Sequence, residues 1–171
     1  MSGADAIRPE RLHAQLEGGF VLFLIGMRVN VLWKVHRWWP VAMAMPRMLR
    51  ELAQRPELGF LGGHAWGGRT PIVVQYWRSL DQLLAYARER DAAHLPAWRE
   101  FNRRVGTHGD VGIWHETYVV APGGYENVYV NMPPFGLGRV GTLAPASGGL
   151  QSAAARLRAS ATPAGGASEA S

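Results

Sequence analysis

The chain has 171 residues, a formal net charge of +5 and no cysteine. Its hydrophobic fraction of 47% and its seven tryptophans suffice for a packed core, which excludes an intrinsically disordered chain. Without cysteine, the sequence cannot form disulfides, thiolate nucleophiles or cysteine-ligated metal centres. The length indicates one domain with additional residues that form a tail.

The positive charge is carried almost wholly by arginine, with Lys34 the only lysine. The arginines are scattered rather than aligned on one helical face, so they do not indicate a nucleic-acid partner. The polar N-terminus lacks the order of a signal peptide, and the longest apolar run, residues 20–27, is too short to span a membrane. The cationic, tryptophan-rich stretch 28–43 permits a membrane-surface role, but its apolar residues do not keep helical spacing. We expect a cytoplasmic protein.

The first half of the chain predicts a strand, a helix and a hairpin. Residues 1–16 are polar and are expected to lie outside a folded domain that spans residues 17–140. The apolar run 20–30 is the first strand, and an aromatic-rich connection follows it. A helix is predicted to begin at Pro46, a residue that suits a first helical turn, and to end before Pro56. Residues 59–66 and 71–77 then form a β-hairpin.

The second half predicts two helical segments, two strands and a tail. Ser79 and Gln82 have the spacing of a capping box, so a helix begins there. A further helical segment runs from Pro96 to Gly106. Residues 111–120 form a strand and residues 125–132 a short return strand. Residues 141–171 are rich in alanine, serine and glycine with little to bury, which predicts a disordered tail.

The order of these elements predicts an α+β fold of the ferredoxin-like, split βαβ type with an antiparallel sheet. Right-handed crossovers place both helices on one face of such a sheet. The other face would carry aromatic side chains, and a monomer rarely leaves so large an apolar patch in water. We therefore expect two sheets to pack face to face in a homodimer, as a dimeric α+β barrel with an enclosed cavity.

Alternation of side chains assigns residues to the two faces. In the first strand, the residues of the more apolar face should meet the helices; they are Val21, Phe23, Ile25, Met27 and Val29. Arg28 and Asn30 then point to the other face. In the strand 111–120, Trp114, Glu116 and Tyr118 oppose Ile113 and His115. A slip of one residue would exchange the two faces.

Five stretches in order resemble one protein family. They are MRVNVLWKVHRWWPV, GGHAW, VQYWRS, AHLPAWREFNR and VGIWHETYVVAPGGYENVYVNMPPFGLG. Together they are similar to the fumagillin-pathway type of monooxygenase, a relative of the antibiotic biosynthesis monooxygenases. The resemblance implies a dimeric α+β barrel of secondary metabolism that oxygenates a small aromatic or polyketide-like substrate without flavin or metal. The related aldoxime dehydratases use haem on the same fold, so a haem enzyme is an alternative. A non-catalytic binder of small apolar ligands is another.

The resemblance also implies site residues. Its members rely on Asn, Trp, Tyr and Arg, which here suggests Asn30, Trp66, Tyr76 and Arg28, with His64 as the candidate base. The alternative for His64 is a hydrogen-bonded residue of a buried strand. The tryptophan-rich connection and the cavity-facing strand positions add further candidates for substrate binding, which are Trp33, His36, Trp77, Trp114 and Tyr118. His115 and Glu116 point to opposite faces and so do not form an acid–base pair. No two histidines have metal-ligand spacing, so we expect no metal.

Overall fold

The computed structural model describes residues 6–89 and 108–161. The helical segment predicted from Pro96 to Gly106 lies outside the described residues. The chain divides into two compact units. One unit comprises residues 21–118, and the other comprises residues 1–20 together with 119–171. Each unit is described by itself.

The described part contains seven strands and four α-helices. The strands are β1 (Arg8–Gln15), β2 (Phe20–Val29), β3 (Phe60–Trp66), β4 (Ile72–Trp77), β5 (Val111–Val120), β6 (Tyr129–Met132) and β7 (Thr142–Pro145). The helices are α1 (Val35–Gln54), α2 (Leu80–Arg88), α3 (Leu137–Val140) and α4 (Ala153–Ala161). Short 3₁₀ turns occupy Pro56–Leu58 and Gly148–Leu150.

The larger sheet has four strands in the order β3-β4-β2-β5. β4 pairs antiparallel with both β2 and β3, in a register that places Ile72 opposite Gly26 and Trp66. Along the chain the elements follow the order β2-α1-β3-β4-α2-β5. This is the β-α-β-β-α-β order that the sequence predicted. The α+β class and the antiparallel pairing are confirmed.

One face of this sheet packs against the helices. Its main core cluster contains Val21, Met48, Leu52, Trp77, Leu83 and Tyr86. A second cluster contains Met27, Val29 and Val111, with Trp38 and Val41 packed against it. The apolar side of β2 therefore meets the helices, as its alternation predicted.

Helix α1 is longer than the sequence predicted. It begins at Val35 instead of Pro46, so most of the aromatic-rich connection is helical. The residues that reach the core clusters recur every three or four positions, which is the spacing of one helical face; they are Trp38, Val41, Ala42, Met45, Met48 and Leu52. Pro40 and Pro46 lie inside the helix. Each proline removes one backbone hydrogen bond, but the packing of this stripe outweighs the loss.

Helix α2 begins as the sequence predicted. Ser79 has an extended backbone, and its Oγ accepts a hydrogen bond of 3.2 Å from the backbone nitrogen of Gln82. This cap satisfies one of the amide groups that a helix leaves free at its first turn. Leu83 and Tyr86 then face the core. Local sequence alone sets this helix start.

The second unit contains a three-stranded sheet in the order β6-β1-β7. Two predictions fail here. The polar N-terminal segment supplies the central strand β1, and the predicted disordered tail supplies β7 and α4. Both segments were expected to lie in solvent because they have few large apolar residues. In the structure, their polar groups are hydrogen-bonded inside the unit instead. The Asn127 side chain, for example, accepts from the backbone nitrogen of Ala14 at 2.6 Å and donates to its carbonyl at 3.0 Å.

Helix α4 is held by a buried arginine. Arg156 is 5% exposed and donates from Nε to Oε1 of Glu126 at 2.6 Å. Its Nη1 also donates to the carbonyl oxygens of Leu150 and Gln151, at 2.9 and 2.7 Å. A buried guanidinium with this many acceptors fixes the helix where burial of alanine alone could not. In the described part of the chain, none of the helices is long and apolar enough to cross a membrane.

Candidate functional site

The face of the larger sheet that lies opposite α1 and α2 is here called the open face. Residues directly opposite each other in an antiparallel pair share a face, so the register of β4 assigns its neighbours. The open face carries Gly62, His64 and Trp66 of β3; Ile72, Val74 and Tyr76 of β4; and Leu22, Leu24, Gly26 and Arg28 of β2. β5 adds Gly112, Trp114, Glu116 and Tyr118, because Val111 and Ile113 of that strand pack against α1.

The indole of Trp114 lies over the backbone of β2 on the open face and is here called the Trp114 floor. A Cβ added at Gly26 would lie 2.7 Å from its Nε1 and 2.8 Å from its Cε2, so the indole rests directly on the backbone of β2. Only glycine leaves room for this close approach. Gly112 offers the reciprocal gap, where an added Cβ would lie 3.7 Å from the Cβ of Arg28. Trp114 and Arg28 therefore lie side by side against the sheet.

Arg28 is the cation of this floor. Its Nη1 donates to Thr70 Oγ1 at 2.7 Å, and the side chain is exposed. Within the part of the chain that the structure describes, no carboxylate lies within ion-pair distance of it. The rest of the guanidinium is thus available to an anionic ligand, which this group binds well.

Glu116 and Tyr118 form a hydrogen-bonded pair on the same face. Tyr118 Oη donates to Glu116 Oε2 at 2.7 Å. This hydrogen bond, the nearby charge and partial burial raise the pKa of Tyr118, so the phenol stays protonated and remains a donor. Glu116 was not among the predicted site residues. Its alternation with Trp114 and Tyr118 on β5 was the signal that could have found it.

His64 and Trp66 lie together on β3, with ring centroids 4.6 Å apart. His64 is half-buried, and Trp66 is 40% exposed. β3 and β5 are the two outer strands of the sheet, but the Trp114 indole lies over β2, so about two strand spacings, roughly 10 Å, separate this pair from the Trp114 floor. Tyr76 lies between the two groups, half-buried on β4.

Trp77 does not lie on the open face. It is 0% exposed in the core, and its ring contacts Phe60 and Tyr86 at centroid distances of 5.6 Å. Its Nε1 donates to Gln75 Oε1 at 2.9 Å. The prediction that it binds substrate is wrong, because the odd-numbered residues of β4 face the helices. Tyr76, its neighbour, takes the open side.

Asn30, Trp33 and His36 lie beyond the sheet. Asn30 follows β2, and its Nδ2 donates to the carbonyl of Gly109 at 2.8 Å, which makes it a loop anchor. Trp33 is 82% exposed, and His36 is an exposed residue in the first turn of α1. The structure does not bring these three together with the open face. Most of the tryptophan-rich connection is instead the start of helix α1.

Asp110 anchors α1 beside the start of β5. It is 4% exposed and forms ion pairs with Lys34 and Arg37. Its Oδ1 lies 2.8 Å from Lys34 Nζ, and its Oδ2 lies 3.2 Å from Arg37 Nη1. The Lys34 hydrogen bond is the main reason that the pKa of Asp110 lies below its usual value. This carboxylate serves the fold rather than a metal. Among the described residues, no three His, Asp or Glu side chains are grouped to hold a metal ion.

Comparison with known proteins places the chain in a family. Residues 20–137 match the family described as Monooxygenase af470-like. The chain belongs to this family. The matched residues include all four strands of the larger sheet. The resemblance read from the five sequence stretches therefore holds at the level of this family.

The chain is similar to two known proteins, one by sequence and one by structure. Monooxygenase af470 of Aspergillus fumigatus is 30% identical over 141 residues, which are 72% of this chain and 46% of that protein. A crystal structure of aldoxime dehydratase matches with a TM-score of 0.64 and 17% identity, over 81% of this chain and 43% of that one. The chain thus spans less than half the length of each relative. The second likeness shows a shared fold.

Proposed function

We propose that the chain is a monooxygenase of the fumagillin-pathway type, acting in secondary metabolism on a small aromatic or polyketide-like substrate. The substrate rests on the open face and itself supplies the electrons that reduce dioxygen. One oxygen atom enters the product and the other leaves as water. Neither flavin nor metal takes part. The observation that carries this proposal is the Trp114 floor with Arg28 and Glu116 beside it, in a chain of a monooxygenase family.

The protein's part in this reaction is to bind, orient and deprotonate. An aromatic substrate stacks on the indole of Trp114, which gains both apolar burial and ring contact. Arg28 offers positive charge where a phenolate or enolate develops. Such groups accelerate the reaction because they bind the charged state more strongly than the neutral one.

A homodimer would complete this site. Several aromatic and apolar side chains of the open face are exposed in one chain, including Trp66 at 40% and Tyr118 at 49%. A second copy packed on this face would remove them from water and enclose the substrate in a dry interior. This arrangement is the dimeric α+β barrel that the sequence resemblance implies.

A haem enzyme is the second candidate, because aldoxime dehydratase shares the fold. Within residues 6–89 and 108–161, His64 is the only histidine on the open face, so it is the residue that would hold haem iron there. Its half-buried position beside Trp66 is compatible with that role. Haem, when bound, would supply redox-active or Lewis-acid iron.

An absorption spectrum and an oxygen electrode separate these functions. The protein is purified from cells supplied with iron and a haem precursor, then mixed with anthrone or a hydroxynaphthalene. We expect a colourless protein that consumes dioxygen with one of these probes. A Soret band that disappears in the His64→Ala variant would establish the haem enzyme. Tight binding of the probes without oxygen uptake would leave a binding protein.

A further inference from the structure

The open face carries groups of opposite charge at its two ends. Three positions of β5 follow one another on the open face at intervals of two residues, which is about 7 Å in a strand; they are Gly112, Trp114 and Glu116. Arg28 of β2 lies beside Gly112. The guanidinium and the carboxylate therefore lie on opposite sides of the indole. A flat ligand on Trp114 meets a cation at one end and a carboxylate at the other.

Glu116 differs from the ion-paired acidic residues of its unit. Asp110 and Glu51 are ion-paired with Lys34 and Arg55. Glu116 has no cation within ion-pair distance among the described residues, and it is the only carboxylate on the described open face. Among the described residues, the hydrogen bond that Glu116 accepts comes from Tyr118 and engages Oε2, which leaves Oε1 to meet a ligand.

We propose that Glu116 is the proton acceptor of the open face and that Tyr118 is the residue that positions it. The inference rests on the proposed function and deepens it. An acidic C–H or O–H bond of the aromatic substrate breaks, and its proton forms the carboxylic acid of Glu116. The electron pair stays on the substrate as an enolate or phenolate. Its negative charge is spread over the ring towards Arg28.

Geometry favours Glu116 over His64 for this step. A general base must lie within hydrogen-bond reach of the proton it takes. A ligand on Trp114 is two residues along the same strand from Glu116, whereas His64 lies on β3, two strand spacings or about 10 Å from the strand β2 over which the indole lies. The imidazole is also packed against Trp66. His64 is therefore left to contact the far end of a large substrate.

The experiment uses a proton transfer that needs no oxygen. Anthrone is incubated with the full chain in deuterated buffer under argon, and deuterium entry at its acidic methylene group is followed by NMR. We expect the wild-type protein to accelerate exchange above the buffer rate. Glu116→Gln should lower the protein-catalysed rate by about 100-fold or more, since general-base contributions are of this size.

Three further variants complete the test. Glu57→Gln makes the same carboxyl-to-amide change at a residue whose side chain is 64% exposed, in a 3₁₀ turn away from the sheet, and should leave the rate unchanged. Tyr118→Phe should lower the maximal rate by about tenfold while the dissociation constant of anthrone, read from tryptophan fluorescence, stays within about twofold. Glu116→Asp should restore part of the rate lost in Glu116→Gln.

The outcomes for Glu116 and for the monooxygenase are distinguishable. Undiminished exchange in Glu116→Gln, or its loss in His64→Ala alone, would overturn the assignment of Glu116 even if the wild-type protein consumes dioxygen. Exchange that depends on Glu116 without oxygen uptake would support the proton acceptor and contradict the monooxygenase. A wild-type protein that neither exchanges anthrone protons nor consumes dioxygen would contradict both.

Discussion

At the scale of single residues, Gly26 decides whether the open face has an aromatic floor. A Cβ at this position would lie 2.7 Å from the carbonyl oxygen of Pro71 as well as from the indole of Trp114. The backbone oxygen cannot move aside cheaply. The position therefore admits glycine and resists even alanine.

Replacement of Gly26 by alanine should lower the free energy of unfolding by about 1–3 kcal/mol, the usual cost of overpacking. It should also weaken anthrone binding, because the indole is displaced. Gly67→Ala is the matched control, since an added Cβ there meets nothing within 4 Å. Urea denaturation checks both variants. Equal stability of the two would show that Trp114 does not lie on Gly26.

Asp110 gives the protein a pH-dependent contribution to stability. Its folded pKa is depressed, first by the Lys34 hydrogen bond, so its contribution is present above the unfolded value of about 4. The contribution is lost as the pH falls through the folded pKa. Asp110→Asn should therefore be less stable than wild type at pH 7, with the difference shrinking below about pH 4. Thermal melts across this range measure it, and a constant difference would contradict the ion pair.

The sequence predicted the positions of residues whose face is set by strand alternation. It did not predict roles that depend on the partners of a side chain. Alternation placed Arg28, Trp114 and Tyr118 on the face away from the helices. It left open which parity of β4 faced the core, so Trp77 was assigned to substrate. Glu116 was not predicted as a site residue. Its suitability as a proton acceptor depends on the hydrogen bond from Tyr118 and on the lack of a described cation nearby, and the sequence shows neither.

At the scale of elements, the prediction of α1 and α4 shows what local rules omit. The sequence predicted that the helix begins at Pro46, yet the stripe from Trp38 to Leu52 has enough core contact to hold a helix through both Pro40 and Pro46. Residues 153–161 read as disordered because they are mostly alanine. The buried Arg156 and the hydrogen bonds of Ser160 with Tyr125 and Gly123 dock them, whereas a charged residue in such a tail indicates solvent exposure when only the sequence is considered.

Arg156→Ala should detach α4 and lower the free energy of unfolding by about 3–5 kcal/mol, because Glu126 and two carbonyl groups lose their partner. Arg158→Ala, an exposed arginine of the same helix, is the control and should cost less than about 0.5 kcal/mol. Chemical denaturation gives both values. Matching small losses would mean that the tail contributes nothing to the fold.

At the scale of the whole molecule, the open face makes a prediction about assembly. Static light scattering of the full chain should give the mass of a homodimer. Ile72→Arg, a charge placed on the open face opposite Gly26 and Trp66, should yield a folded monomer, because a buried unpaired cation is costly. Met43→Arg places the same charge on the solvent side of α1, where Met43 is 38% exposed, and should remain dimeric. A wild-type monomer would contradict the proposed barrel.

In the proposed function, this chain transfers one atom of dioxygen to an aromatic substrate without a metal, flavin or haem. Mass spectrometry of the product formed under ¹⁸O₂ tests it most directly, with metal-free, haem-free protein and anthrone. We expect one ¹⁸O atom in each product molecule, none from labelled water, and loss of the labelled product in the Trp114→Ala variant. Unlabelled product, or label that appears only after haem is added, would contradict the account.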